Sequence, residues 1–461
     1  MAEEIADAPE REEEAYGLDG ATVAAIREAV DEGDSPRLAE LLEPLHAADI
    51  ADLLEQVDSA QRRDILRLGA ASIDGEVLSE LDESIREEVF EFLPPDVLRD
   101  AVRDLESDDV VDLVEDMEEP QQAVILGALE AADRVAVEQS LSYPEYSAGR
   151  LMQREVVAAP DHWTVGDAID HMRANKKVLP DQFYHIIVVD PRMKPVGYVT
   201  LGRILSTKRS AKLTKILEDS FRTIPVTQPE AEVAYAFNHY HLISAPVVDD
   251  EGRLVGVITI DDAMIVLDEE HEEDIMRLAG VGDGSLSDKV MDTLRQRLPW
   301  LAVNLMTAIL ASVVIAQFES TIVQLVALAV LMPIVASMGG NAGTQSLTVA
   351  VRAIATRDLT GSNVWRVIRR ETAVGLLNGL VFAVVMGLVG WGWFGEPMLG
   401  VVIGLAMIIN LGVAGLAGIL VPVGLERLGF DPALASGTFV TTVTDVVGFF
   451  AFLGLAGVIL L

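Results

Sequence analysis

The 461-residue chain contains no cysteine. That absence excludes disulfide frameworks, thiolate metal sites and cysteine nucleophiles. Histidine is scarce as well, at seven residues with no ligand spacing. His239 and His241 stand two apart, a poor pair on a helix, and read as surface or cleft residues. No Walker A pattern is present, which argues against ATP-driven pumping. No nucleophile–base set is visible, so an enzyme is disfavoured. Positive charge is the largest shortage. Lys and Arg total 34 against 73 Asp and Glu, a formal net charge of −39. Such a chain repels phosphates, and nucleic acid is excluded as a partner. The opening MAEEIADAPE has neither a basic n-region nor an apolar core, so no signal peptide is expected and the soluble part is expected in the cytoplasm.

What is present is unevenly divided. Half of the residues are hydrophobic, which does not suit a uniformly acidic soluble protein. Residues 1–297 hold 28 basic and 66 acidic side chains, whereas residues 298–461 hold six and seven. The second part contains five apolar runs, about 299–318, 320–351, 372–395, 397–425 and 432–461. A spanning helix takes about 20 mostly apolar residues, and every run reaches that length. Arg352, Arg357, Arg366, Arg369 and Arg370 lie between the second and third runs, and Arg427 between the last two. The alternate loops carry Glu319 and Glu396 and no base. The positive-inside rule then puts the N-terminus in the cytoplasm and the C-terminus outside.

Two features inside the runs are costly. Asp445 stands 13 residues past Pro432, near mid-membrane at ~1.5 Å per residue. A carboxylate there must face water or a partner, and no base lies at comparable depth. Thr438, Thr441, Thr442 and Asp445 share one helical face. The pattern reads as a cation site, or alternatively as a polar contact between helices. The second feature is Pro333 followed by Gly339-Gly340-Asn341-Ala342-Gly343-Thr344-Gln345. Proline and clustered glycine predict a broken helix whose freed carbonyls, with Asn341 and Gln345, offer oxygen ligands to a hard cation. Close packing of helices through small residues is the alternative.

The acidic part contains an internal repeat, 156–205 and 221–264. IIVVDPRMKPVGYVTLGRIL (186–205) overlays APVVDDEGRLVGVITIDDAM (245–264) with a constant offset of 59. Each copy reads as helix, strand, turn, strand, helix. The repeat resembles a tandem CBS pair, a regulatory module that often binds adenine nucleotides. Gly256-x-x-Thr259-x-x-Asp262 would present a hydroxyl and a carboxylate to a ribose, and Asp262 is alternatively a metal ligand. The first copy has Arg203 in the equivalent place, so one complete nucleotide site is expected at most. Residues 20–145 show only short amphipathic segments such as DIADLLEQV and DVVDLVEDM, which predict an all-α superhelical array. After the repeat, Asp268, Glu269, Glu270, Glu272, Glu273 and Asp274 crowd two helical turns and repel one another. A divalent cation would relieve that repulsion.

PIVASMGGNAGTQS (333–346), RAIATRDL (352–359) and DPALASGTFVTTVTDVVGFF (431–450) together resemble the MgtE family of magnesium channels. The resemblance covers nearly the whole chain. It implies a multidomain membrane protein with an acidic disordered tail (1–19), a helical N-domain (20–145), an α/β tandem CBS domain (146–266), a connecting plug helix (267–296) and an α-helical membrane domain of five spans (297–461). It implies passive Mg²⁺ influx across the plasma membrane and a homodimer in the lipid bilayer with its pore between subunits. Asp445 would be the pore carboxylate, with Asn341, Gly339, Gly340 and Thr441 lining the path. Glu270, Glu273, Asp274 and Asp262 would bind cytosolic Mg²⁺ as sensors, with Asp109 and Asp112 on the N-domain side. At high Mg²⁺ the bridged acidic surfaces would hold the pore shut. Ile265, Pro229, Ala231 and His241 stand where sensor acids can occur, which leaves the number of sensor sites open and admits ATP or another adenine nucleotide as a regulator. The alternatives are a broader Co²⁺, Mn²⁺ or Ca²⁺ channel or exchanger, and a membrane-anchored CBS nucleotide sensor. Seven Lys against 27 Arg, with acids spread over the soluble part, further suggests a halophilic cytoplasm.

Overall fold

A computed structural model describes residues 18–281 and 290–461, apart from 104, 116, 118, 177, 178, 181, 182, 219 and 220. The expected tail lies outside the described residues up to position 17, as do residues 282–289 of the expected connecting helix. The chain forms two compact units, Met1–Glu270 and His271–Leu461.

The first unit opens with ten helices: α1 (Gly20–Glu32), α2 (Ser35–Leu42), α3 (Ala47–Gln56), α4 (Ser59–Leu68), α5 (Gly75–Ser79), α6 (Glu83–Phe92), α7 (Pro95–Arg103), α8 (Ser107–Glu115), α9 (Glu119–Leu126) and α10 (Ala131–Ser140). Part of the acid content has a local use here. Asp19, Asp34, Asp58, Asp74 and Asp82 are N-caps whose carboxylates accept backbone N–H bonds from the first turns. Each such cap satisfies helix-start N–H groups that no backbone carbonyl reaches. The apolar stripes, for example Ile50, Leu53 and Leu54 of α3, merge into one core running from Ile26 to Val137.

The repeat expected from the sequence is present. After the short α11 (Ala148–Leu151), the first copy comprises β1 (Ala158–Pro160), α12 (Val165–Ala174), β2 (His185–Val189), β3 (Pro195–Thr200) and α13 (Leu201–Ser206). The second comprises β4 (Ile224–Pro225), α14 (Glu230–Tyr240), β5 (Ser244–Val248), β6 (Leu254–Thr259) and α15 (Ile260–Leu278). In each sheet the middle strand pairs in parallel with the first and antiparallel with the third, with an irregularity at Val188/Val189 and again at Val247/Val248. The turns also repeat: Asp190 accepts from the Arg192 and Lys194 N–H groups, and Asp249 from those of Glu251 and Arg253.

The second unit is built from α16 (Val290–Ala316), the short α17 (Glu319–Gln324), α18 (Ala327–Ala355), α19 (Val364–Phe394), α20 (Pro397–Arg427) and α21 (Pro432–Ile459). Five of these are long and apolar enough to cross a membrane. Leucine, valine and isoleucine make up most of the exposed large apolar side chains along α16 and α19, as lipid contact requires. α20 is central and two-thirds buried over its most apolar window. Glycines bring it against α19: a Cβ at Gly379 would stand 2.8 Å from the Ile408 Cα, and one at Gly415 2.5 Å from the Glu371 carbonyl oxygen. Small residues at such crossings let backbones approach closely.

Two expectations are corrected. α18 runs unbroken through Pro333 and Gly339-Gly340. Proline removes one donor, and each glycine costs about 1 kcal/mol in helix propensity, which close packing against other helices offsets. The apolar run at 320–351 is a short helix, a turn at Leu325–Val326 and a longer helix reaching Ala355. Hydropathy cannot see such a turn, because neither glycine nor proline marks it.

Candidate functional site

Between Ser337 and Thr348 the exposed positions of α18 are polar where a lipid-facing helix would be apolar. Ser337, Asn341, Thr344, Gln345 and Thr348 are all exposed and recur at helical spacing. Asn341 lies 3.5 Å from the Ser337 hydroxyl. The Thr344 and Thr348 hydroxyls donate one turn back, to the Gly340 and Thr344 carbonyls. Their oxygens remain acceptors.

α21 lies antiparallel beside this helix. A Cβ at Gly340 would be 4.0 Å from the Thr441 methyl, and one at Gly343 would be 2.6 Å from Val440. Thr441 is therefore level with Gly340, next to Asn341. Asp445 follows one turn later, roughly 6 Å along the axis. The Thr441 and Thr442 hydroxyls donate to the Gly437 and Thr438 carbonyls, again leaving oxygen acceptors outward. Asp445 is half-buried and forms no ion pair among the described residues. Of the sequence-selected group, Gly339 differs: it is buried against the Asn410 side chain.

The acidic helix α15 starts at Ile260, directly after β6, and ends at Leu278. Gly280, at φ +69°, terminates it, and the Val281 N–H closes the end on the Met276 carbonyl. Glu270, Glu273, Asp274 and Arg277 follow one face by spacing. Arg277 bonds Glu273 at 2.6 Å and the Asp431 carboxylate at 3.0 Å. Asp431 is also the N-cap of α21. Leu278 packs with Leu347, Val351, Ala433 and Val440. Burial, and then Asp431, push the Asp274 carboxyl up.

Within the first unit, α8 meets the start of the repeat. The Ser107 hydroxyl donates to Glu155 at 2.8 Å and accepts from the Arg154 N–H at 2.8 Å, and Arg150 pairs with Glu115 at 2.9 Å. This contact gathers acids: Glu106 and Asp262 raise both Asp108 and Asp109, and Asp261 and Glu106 raise Asp262. Burial first, then Asp262, pushes the Asp109 carboxyl up to about 7. Asp108, more deeply buried, is raised well above the usual range by the same causes. Asp262 is raised by burial, despite accepting the Thr259 hydroxyl at 2.6 Å. Asp112, in contrast, pairs with Arg86 at 2.7 Å. Among the described residues, no three carboxylates or imidazoles converge closely enough to hold a metal ion. Glu106 was not selected from the sequence, where Asp108 only opens the acidic run 108–116 read as a sensing cluster. Acids in the first turn of a helix read there as partners of the helix dipole, and nothing local signals their burial.

At the CBS pair, Gln153, Tyr184, His185, Ser244 and Thr259 line a cleft holding a cavity of about 20 Å³. His185 and Ser244 are hydrogen-bonded across the two copies. In the first copy Arg203 bonds Glu218 at 2.9 Å. Pro229 is the N-cap of α14 and His241 its left-handed C-cap at φ +53°, while Ile265 is exposed.

Comparison with known proteins agrees with this architecture. Residues 332–455 match the MgtE model, described as a divalent cation transporter; residues 45–146 match the MgtE intracellular N domain; residues 148–209 and 214–269 match the CBS domain. The magnesium transporter MgtE of Thermus thermophilus is 34% identical over 338 residues, 72% of this chain and 74% of that protein. That of Enterococcus faecalis is 33% identical over 320 residues, 69% of this chain and 70% of that protein. The chain belongs to the MgtE family. The activity of the family is transport rather than catalysis. A crystal structure of the cytosolic domain of the Mg²⁺ channel MgtE in complex with ATP is 29% identical and covers 53% of this chain and 99% of that one, with a TM-score of 0.48.

Proposed function

We propose that this magnesium transporter is a passive Mg²⁺ channel whose ion path is lined by the polar face of α18 and by Thr441 and Asp445 of α21. The supporting observation is the exposed stripe Ser337, Asn341, Thr344, Gln345 and Thr348 on a helix apolar enough to span a membrane. Such a face is costly against lipid and suits water or a second copy of the chain. In a two-fold homodimer the stripes and the two Asp445 side chains would face one another. Mg²⁺ dehydrates reluctantly, so carboxylate, amide and hydroxyl oxygens that bond its water shell are an appropriate lining. The membrane is the plasma membrane, with the acidic part inside and the C-terminus outside. Uptake of Mg²⁺ into liposomes by the purified protein tests the path. Asp445→Asn should reduce uptake at least tenfold, and unchanged uptake would remove Asp445 from it. Competition by Co²⁺, Mn²⁺ and Ca²⁺ in the same assay separates a magnesium pore from a broader divalent one.

Gating follows from the acids. Glu106, Asp108, Asp109 and Asp262 on one side, and Glu270, Glu273 and Asp274 on α15, gain most from cytosolic Mg²⁺ when they are close together. The ion therefore shifts the population towards the docked, closed state. An ion held through its waters suits these acids, because Mg²⁺ dehydrates reluctantly and a water-bridged ion needs no tight three-ligand cage. An adenine nucleotide at Thr259 and Asp262 is a second regulatory reading. The cavity of about 20 Å³ is too small for a nucleotide as it stands, so binding would have to open the cleft.

A further inference from the structure

We propose that Asn410, at the middle of α20, fixes the register of the two pore-lining helices and thereby the ion selectivity of the path. This rests on the pore reading above. Asn410 is fully buried, at 0% exposure, in the central helix of the membrane unit. Its Nδ2 donates to the Val335 carbonyl of α18 at 2.8 Å. Its Oδ1 has no partner among the described residues. Glycines flank the amide on both neighbours: a Cβ at Gly448 of α21 would stand 2.8 Å from Nδ2, and one at Gly339 of α18 would overlap the amide.

One side chain thus sits in notches of two helices and is hydrogen-bonded to one of them. The notches lie close to the lining residues, with Gly339 two residues before Asn341 and Gly448 three residues after Asp445. A slip of either helix by one residue would turn it by about 100° and carry Asn341 or Asp445 off the path. Packing alone does not call for an amide here. A leucine of similar size leaves no unpaired carbonyl, whereas a buried unsatisfied acceptor is destabilising. A polar group in an apolar helical interface is a recognised means of setting register at the expense of stability. Asn410 is not itself exposed to the path. It is a positioning residue, acting through Gly339 and Gly448.

The test is the ratio of Mg²⁺ to Co²⁺ uptake into liposomes, together with thermal stability. Asn410→Leu should fold and transport, with the ratio lowered about tenfold. Gly339→Ala pushes a methyl group into the amide and should destabilise the protein. Adding Asn410→Ala to it relieves the overlap without restoring the hydrogen bond. The double variant should therefore recover stability but not the ratio, and it carries the test if Asn410→Leu fails to fold. A wild-type ratio in either variant would reduce Asn410 to packing and overturn the proposal. Asp445→Asn separates the two readings. Unchanged uptake there defeats the pore assignment, whereas lost uptake combined with a wild-type ratio in the Asn410 variants defeats only this one.

Discussion

Asp109 is where a single group couples protons to domain contact. Its carboxyl is raised to about 7 by burial and by Asp262, Glu106, Asp112 and Asp261. A raised carboxyl binds its proton more tightly in the docked state than in the open one. Without divalent cations, docking of α8 on the repeat therefore weakens as pH rises from about 4, the usual carboxylate value, through about 7, and is flat above. Proteolysis of the full chain in chelator should accelerate between about pH 4 and about pH 7, and millimolar Mg²⁺ should abolish that step. Asp109→Asn removes one repelling charge and should make protection less dependent on both pH and Mg²⁺. A variant whose pH step is unchanged would shift the role to Asp108 and Asp262. Visibility in the sequence differs among these acids. Asp445 stands out because a carboxylate in an apolar run is costly wherever the chain folds. Asp108 and Glu106 look like any solvated helix start, and only the fold buries Asp108 and brings it to Asp262, more than 150 positions away.

At the scale of elements, α15 shows how a helix end is held. Arg277 ties Glu273 and Asp431, and Leu278 enters the apolar group formed by α18 and α21. The ion pair is about one-third exposed and contributes at most about 1 kcal/mol. The apolar contact carries more, because each buried CH₂ contributes about 0.8 kcal/mol. A Cβ at Gly437 would lie 3.7 Å from the Leu278 carbonyl oxygen. Leu278→Cys with Gly437→Cys, in a chain without other cysteines, should form a disulfide on oxidation and hold α15 against α21. Mg²⁺ uptake should then fall and return on reduction; a complete cross-link with unaltered uptake would dissociate this contact from gating. Most elements were legible: the repeat, because its alternation and turns recur at an offset of 59, and the five apolar helices, because length and composition suffice. The course of α18 was not. Pro333 and Gly339-Gly340 carry the same local signal whether they break a helix or fit it against its neighbours. The deciding partner, Asn410, lies on a helix about 70 residues away.

For the whole molecule the question is how so much like charge stays folded. Nearly all of the net −39 falls in residues 1–297. Local uses account for part of it: five N-caps, the α8 cluster and the face of α15. Ion pairs such as Arg86–Asp112 and Arg150–Glu115 take up a few more acids. The remaining acids are scattered, and their mutual repulsion falls with screening, whose range shrinks from about 10 Å at 0.1 M salt to about 3 Å at 1 M. The first unit should therefore gain stability as KCl rises into the molar range, with the thermal midpoint increasing by several degrees. Divalent binding to a few sites would instead saturate at millimolar Mg²⁺ with little further gain. The two titrations separate a general high-salt adaptation from specific ion sensing. A midpoint indifferent to KCl but raised by Mg²⁺ would assign the acidic surface to sensing. A steady rise with KCl in the Asp109→Asn variant would show that the bulk of the charge answers to the solvent.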